Sequence, residues 1–202
     1  MLKSFESRGF TMIELMIGIS IVAIVLAIGT PSFTAYLQGS KLGSAAQSYL
    51  SGVQLARAEA IRRNLPVQFI LTDMPVGTAN IENLAPVNPN GRNWLVRVID
   101  PLTANFVLIE AKSALEGSFT STGVPTVVVL GAGAPVAFDG TLSFNGFGGT
   151  TTGSAYTLDL QNPAGGACAP VGPMRCPRIR VSAGGQALVC DPIAALGDSR
   201  AC

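Results

Sequence analysis

The sequence predicts an α+β chain: one long N-terminal helix, with a first half suited to spanning a membrane and a second half packed on an antiparallel β-sheet head. Three observations carry this expectation. An apolar run opens at Phe10, and no charge occurs from Leu15 to Ser40. Beyond it, Leu42, Ala46, Tyr49, Val53, Ala56 and Ala60 recur at intervals of 4, 3, 4, 3 and 4, one stripe of a 3.6-residue period. After Pro66 the pattern shifts to short β-branched and aromatic segments separated by Gly, Pro and Asn clusters.

The first element starts with a polar leader, residues 1–9 (MLKSFESRG), whose cations are Lys3 and Arg8. Phe10 to Gly29 then gives 20 residues, and a helix of that length spans the ~30 Å of a bilayer core. Glu14 is the single charge inside it. An ionised carboxylate there costs at least ~2.5 kcal/mol unless it is paired or reaches water. A secretory signal peptide does not normally carry a carboxylate at this point, and the small-residue cleavage motif is poorly formed. Pro31 removes one backbone donor and is expected to kink or locally melt the helix.

The amphipathic stripe resumes after Pro31 and runs to about Asn64, where Pro66 marks the end. Gln47, Ser51, Gln54 and Glu59 lie largely off the apolar face, while Ala46, Ala56 and Ala60 are small enough to let a sheet approach closely. The remainder reads as strands at Val67–Leu71, Trp94–Ile99, Asn105–Ile109, Thr126–Leu130, Thr141–Phe144, Tyr156–Leu160, Arg178–Ser182 and Ala187–Cys190. Ala85–Asn93, Gly131–Pro135 and Gly146–Ser154 read as loops. The expected organisation is a leader at 1–9, an apolar helix at 10–30, its amphipathic continuation at 31–64 and a β-rich head at 65–202.

Composition narrows the function. Of 202 residues, 48% are hydrophobic and 12% charged, with no histidine and a net charge of +1. So few charges argue against a disordered chain or a highly soluble cytosolic enzyme. Near-neutral balance gives no overall field for a polyanion. The missing histidine removes the commonest general base and zinc ligand. No nucleophile elbow, phosphate-binding glycine loop, dinucleotide fingerprint or paired-carboxylate spacing occurs, so no catalytic residue, cofactor or metal site is expected. All four cysteines, Cys168, Cys176, Cys190 and Cys202, lie in the last 35 residues without a C-x-x-C spacing. They suggest two disulfides formed in an oxidising compartment, with three pairings open.

Arg8-Gly9-Phe10-Thr11-Met12-Ile13-Glu14-Leu15 resembles the class III signal of type IV pilins and type II secretion pseudopilins: a basic leader ending in glycine, then phenylalanine, then glutamate as the fifth residue after the cut. The resemblance implies the pilin fold. It also implies cleavage between Gly9 and Phe10 by a prepilin peptidase, followed by N-methylation of the Phe10 amine. Glu14 would then neutralise that amine in a neighbouring subunit and set the axial register; the plainer alternative is a carboxylate that snorkels to the interface. Implied partners are the peptidase, other major and minor pilins or pseudopilins, and an inner-membrane assembly platform. The implied location is the bacterial inner membrane, single-pass with a periplasmic head, then the pilus or pseudopilus.

Leu55–Asn64 is similar to the helix end of the minor pseudopilin H and FimT group. Gly91–Val96 resembles its glycine–tryptophan strand, and Ile179–Leu188 its last hairpin. This implies a minor subunit at a filament tip that helps initiate assembly. The alternative is a FimT-like subunit that binds DNA for uptake. That group carries a Gly-Arg-x-Arg motif in the hairpin, however, and here the motif falls on Gly185-Gln186-Ala187-Leu188, with both arginines absent. Arg175, Arg178 and Arg180 stand nearby as the candidate DNA contacts, although such clusters are more often solvated strand faces.

Overall fold

A computed structural model of the chain describes residues 11–113, 126–128, 138–162, 166–195 and 197–202, with 28–35 and 126–128 described by backbone alone. Helix α1 runs Met12–Arg63, 52 residues, or about 78 Å at ~1.5 Å per residue. It begins where Thr11 and Glu14 form a reciprocal capping box, and it ends at Asn64 in the left-handed region with φ 51°. The backbone stays helical through Pro31, so the local melting anticipated there is not seen. Proline lacks only its own N–H, and the bonds of its neighbours carry the helix past it.

Among the described residues eight strands follow: β1 (Val67–Thr72), β2 (Asn93–Ile99), β3 (Phe106–Ser113), β4 (Thr126–Val128), β5 (Thr141–Phe144), β6 (Tyr156–Gln161), β7 (Arg178–Val181) and β8 (Ala187–Cys190). A short helix, α2, lies between β1 and β2 at Ile81–Leu84. Among the described residues the expected antiparallel β-sheet head consists of two four-stranded sheets, ordered β3-β2-β1-β5 and β4-β6-β7-β8. Strand β4 occupies Thr126–Val128 of the expected Thr126–Leu130; residues 129–130 and the loop expected at Gly131–Pro135 lie outside the described residues.

One core joins both sheets to α1. Leu42, Ala46, Tyr49, Val53, Ala56 and Ala60 are all buried, with Phe69, Trp94, Leu142, Leu158 and Ile179 among their neighbours in that core. Close approach is set by a residue beside the stripe. A Cβ on Gly52 would lie 2.8 Å from the Phe69 ring and 2.9 Å from the Trp94 ring, so the two aromatics fill a notch that only glycine leaves open. Trp94 also donates its indole N–H to Ser48 Oγ at 3.1 Å, and the Tyr49 hydroxyl donates to the Arg92 carbonyl at 3.1 Å. Burial pushes the Tyr49 phenol up, so it remains a neutral donor.

The first sheet is covered on two sides. Val67, Phe69 and Leu71 face α1, whereas Ile70 and Leu95 join Ile81 and Ala85 in a smaller cluster beneath α2. That explains why Val67–Leu71 alternates only partly: both of its faces are buried. Beside this cluster, the Arg97 guanidinium lies 3.7 Å from the Phe106 ring centroid and donates to Gln68 Oε1 at 2.9 Å and the Glu82 carbonyl at 2.7 Å. It thereby ties α2 to the sheet.

Candidate functional site

The processing residues Gly9 and Phe10 lie outside the described residues. Directly after them, the capping box holds Glu14. Its backbone N–H donates to Thr11 Oγ1 at 3.3 Å, and its carboxylate accepts from the Thr11 backbone N–H at 3.4 Å and hydroxyl at 3.3 Å. The Thr-x-x-Glu spacing that signals this box is readable in the sequence. Glu14 thus has a partner within its own chain, Thr11.

From Met12 to Leu26 the large apolar side chains of α1 are exposed on every side. Among the described residues no helix is long and apolar enough to cross a membrane. The run with described side chains, residues 12–27, has 16 residues, and a helix of that length reaches only about 24 Å of the ~30 Å bilayer core. Pro31 sits just beyond this exposed run, inside continuous helix.

At the far end of the chain the cysteines pair in sequence order, Cys168 with Cys176 and Cys190 with Cys202, at Cα separations of 5.6 and 5.1 Å. Each bridge closes a short loop, and Cys190 also ends β8. No group of three or more His, Cys, Asp or Glu residues that could hold a metal occurs among the described residues.

The three candidate arginines, Arg175, Arg178 and Arg180, are each engaged by the protein itself. Arg178 and Asp159 are cross-strand partners on β7 and β6, joined through Nε to Oδ1 at 2.5 Å and Nη2 to Oδ2 at 2.9 Å. This two-point pair is mostly buried, and the Asp159 carboxylate raises the Arg178 pKa further. Arg175 Nη1 meets Asp191 Oδ2 at 3.0 Å, and Arg180 Nη1 donates to the Cys202 carbonyl. Ile179 and Val181 alternate with Arg178 and Arg180 and enter the core, so the arginines share the outer face of β7. Asp159 stands 19 positions before Arg178; only the strand register discloses that pairing.

Several known proteins are similar to this chain. A family model described as "Type II transport protein GspH" matches residues 45–185, and one for the prokaryotic N-terminal methylation motif matches residues 6–30. The prepilin peptidase-dependent protein D of Escherichia coli (strain K12) is 42% identical over 57 residues, which are 27% of this chain and 39% of that protein, so the match spans well under half of the relative. Among solved structures, the type IV minor pilin FimU of Pseudomonas aeruginosa (strain PAO1) superposes with a TM-score of 0.50 at 14% identity, covering 79% of this chain and 98% of its own. The minor pseudopilin EpsH of the type 2 secretion system of Vibrio cholerae gives a TM-score of 0.44 at 14% identity, covering 77% and 99%. The first of these structures has the same helix-on-sheet fold.

Proposed function

The chain belongs to the type II transport protein GspH family, and from that premise we propose that it is a minor pilin-type subunit, cut between Gly9 and Phe10 by a prepilin peptidase and assembled through α1 into a type IV pilus or a type II secretion pseudopilus. One observation carries the proposal. A methylation motif at residues 6–30 overlaps the start of a single helix that is apolar and exposed from Met12 to Leu26 and carries, from Leu42 to Ala60, a stripe buried by a GspH-type head.

In the membrane, residues 10–29 anchor the chain, with the head in the periplasm. Assembly moves the exposed Ile, Leu and Val side chains from lipid into a bundle of similar helices. That transfer brings little hydrophobic gain, because lipid tails are as apolar as leucine, so packing and polar pairing must supply the specificity. Glu14 supplies the polar part. Its carboxylate leaves the Thr11 cap and pairs with the Phe10 amine of the adjacent subunit, which relieves two charges at one depth and fixes the axial step. Pro31 lets the emerging helix bend toward the head. The disulfide-closed tail gives a braced surface at the exposed end. The DNA-uptake alternative draws little support from a tail whose Arg175, Arg178 and Arg180 already have partners within the chain.

Two substitutions test this function in cells. Gly9→Ala is expected to leave the leader attached, read as an unshifted mass. Glu14→Ala is expected to be cut normally yet be depleted from sheared filaments. Normal incorporation of the Glu14 variant would overturn the pairing account.

A further inference from the structure

Helix α1 carries a second stripe, offset from the one in the core. Gln54, Arg57, Ala58 and Ile61 follow the i, i+3, i+4, i+7 spacing and form one wall of a recess of about 490 Å³. The other wall is the β7–β8 hairpin, Gly185 to Leu188. Ile61 and Leu188 are 50% and 49% exposed, and Phe147, close by in the β5–β6 loop, is 94% exposed. The volume lies in the range of built binding pockets, of the order of 300–1,000 Å³.

One charge serves this recess, alongside the amides of Gln54 and Gln186. Arg57 Nε donates to the Gly148 carbonyl at 3.0 Å, which fixes the direction of the guanidinium. The contact depends on Gly185: with φ at +78°, it lies so close that an added Cβ would fall 1.8 Å from the Gly148 oxygen. Arg62, Arg63, Arg92, Arg175, Arg178 and Arg200 each face a carboxylate. Among the described residues no carboxylate pairs with Arg57, and none lines the recess.

We propose that this recess docks an apolar segment bearing one carboxylate, supplied by a sister subunit of the same filament. The sister-subunit source rests on the function proposed above; the chemistry of the recess does not. A guanidinium held by a backbone carbonyl and flanked by Ala58, Ile61, Ala187 and Leu188 favours a single charge-assisted, partly desolvated contact. A polyanion would need several unpaired cations along a track, and here one is present. The Gln-Ala-Leu sequence of the hairpin, where the related group has arginines, adds apolar surface on the same wall.

The test uses the full chain in detergent micelles and an array of short peptides with varied apolar flanks, each made with a central Asp and again with Asn. The Asp forms are expected to bind about tenfold more tightly, the size of one exposed-to-partly-buried ionic contact. Arg57→Gln should erase the Asp preference and leave the residual apolar binding. Ala58→Gln, at an exposed position on the recess wall, should block both forms with the thermal unfolding curve unchanged. Equal binding of Asp and Asn peptides to the native chain, or undiminished binding to the Ala58 variant, would overturn the proposal. Displacement of bound peptide by oligothymidylate at physiological salt would assign the recess to nucleic acid and overturn it equally. These outcomes are independent of the Glu14 incorporation assay, so failure of the docking proposal and failure of the subunit function can be told apart.

Discussion

The two halves of α1 have the same backbone and opposite surroundings. From Met12 to Leu26 the helix is built from large Ile, Leu, Val and Met side chains, all exposed; from Leu42 to Ala60 its inward stripe is mostly small and fully buried. Apolar size therefore does not report burial within this chain. The head encloses the half whose inward stripe mixes Ala45, Ala46, Gly52, Ala56 and Ala60 with Leu42, Tyr49 and Val53, so the two sheets approach the helix closely between its few larger side chains. The bulkier half lacks a partner in the monomer, consistent with a surface reserved for lipid or for other helices.

That contrast can be broken from either side. Trp94→Ala should remove the largest piece of the buried half and destabilise the head by about 3–5 kcal/mol, read by urea unfolding with circular dichroism, since Trp94 is the only tryptophan. Gly52→Val, which drives a side chain into the Phe69 and Trp94 rings, should cost about 1–3 kcal/mol. In the other half Ile17→Ala should change head stability by no more than about 0.5 kcal/mol; a loss comparable to that of Gly52→Val would mean that the exposed half also packs on the head. Tyr49→Phe, which gives up the bond to the Arg92 carbonyl, should cost about 1 kcal/mol.

The smallest effect concerns acid. Glu59 accepts from Arg62 and Arg63, which together hold its carboxyl down at about 2 instead of the usual 4.5. A depressed acid stabilises the fold fully above its unfolded value and loses that contribution as pH falls. The share due to Glu59 should be intact above about pH 4.5 and gone by about pH 2. Glu59→Gln is expected to flatten the stability profile across that window by lowering stability above about pH 4.5, with little change near pH 2. An acid limb identical to that of the native chain would show that the pair contributes nothing.

Local pattern made much of this legible. The core stripe of α1 is buried at all six positions named from spacing, and Thr141–Phe144 and Ala187–Cys190 are strands with the expected boundaries. What escaped depends on distant partners. The four residues of α2 are too few to show a period, and they hold because Ile81 fits against Ile70 and Leu95. The division into two sheets rests on pairings such as β1 with β5, separated by residues 73–140. Cysteine spacing left three pairings open, and chain proximity settled them. Arg178 looked available to a ligand until the register set Asp159 opposite it. Gly52 was overlooked because a stripe of apolar positions directs attention to side chains, and its contribution is to lack one.

That notch has a mechanical consequence. The rings of Phe69 and Trp94 fill the space at Gly52, so sliding α1 along its axis by one turn would bring Ala56, four residues on and on the same face, against both rings. The seat acts as a detent. Tension applied at the N-terminal end of α1 would be delivered to the sheets as shear at a fixed position, with the head following its shaft and not slipping along it.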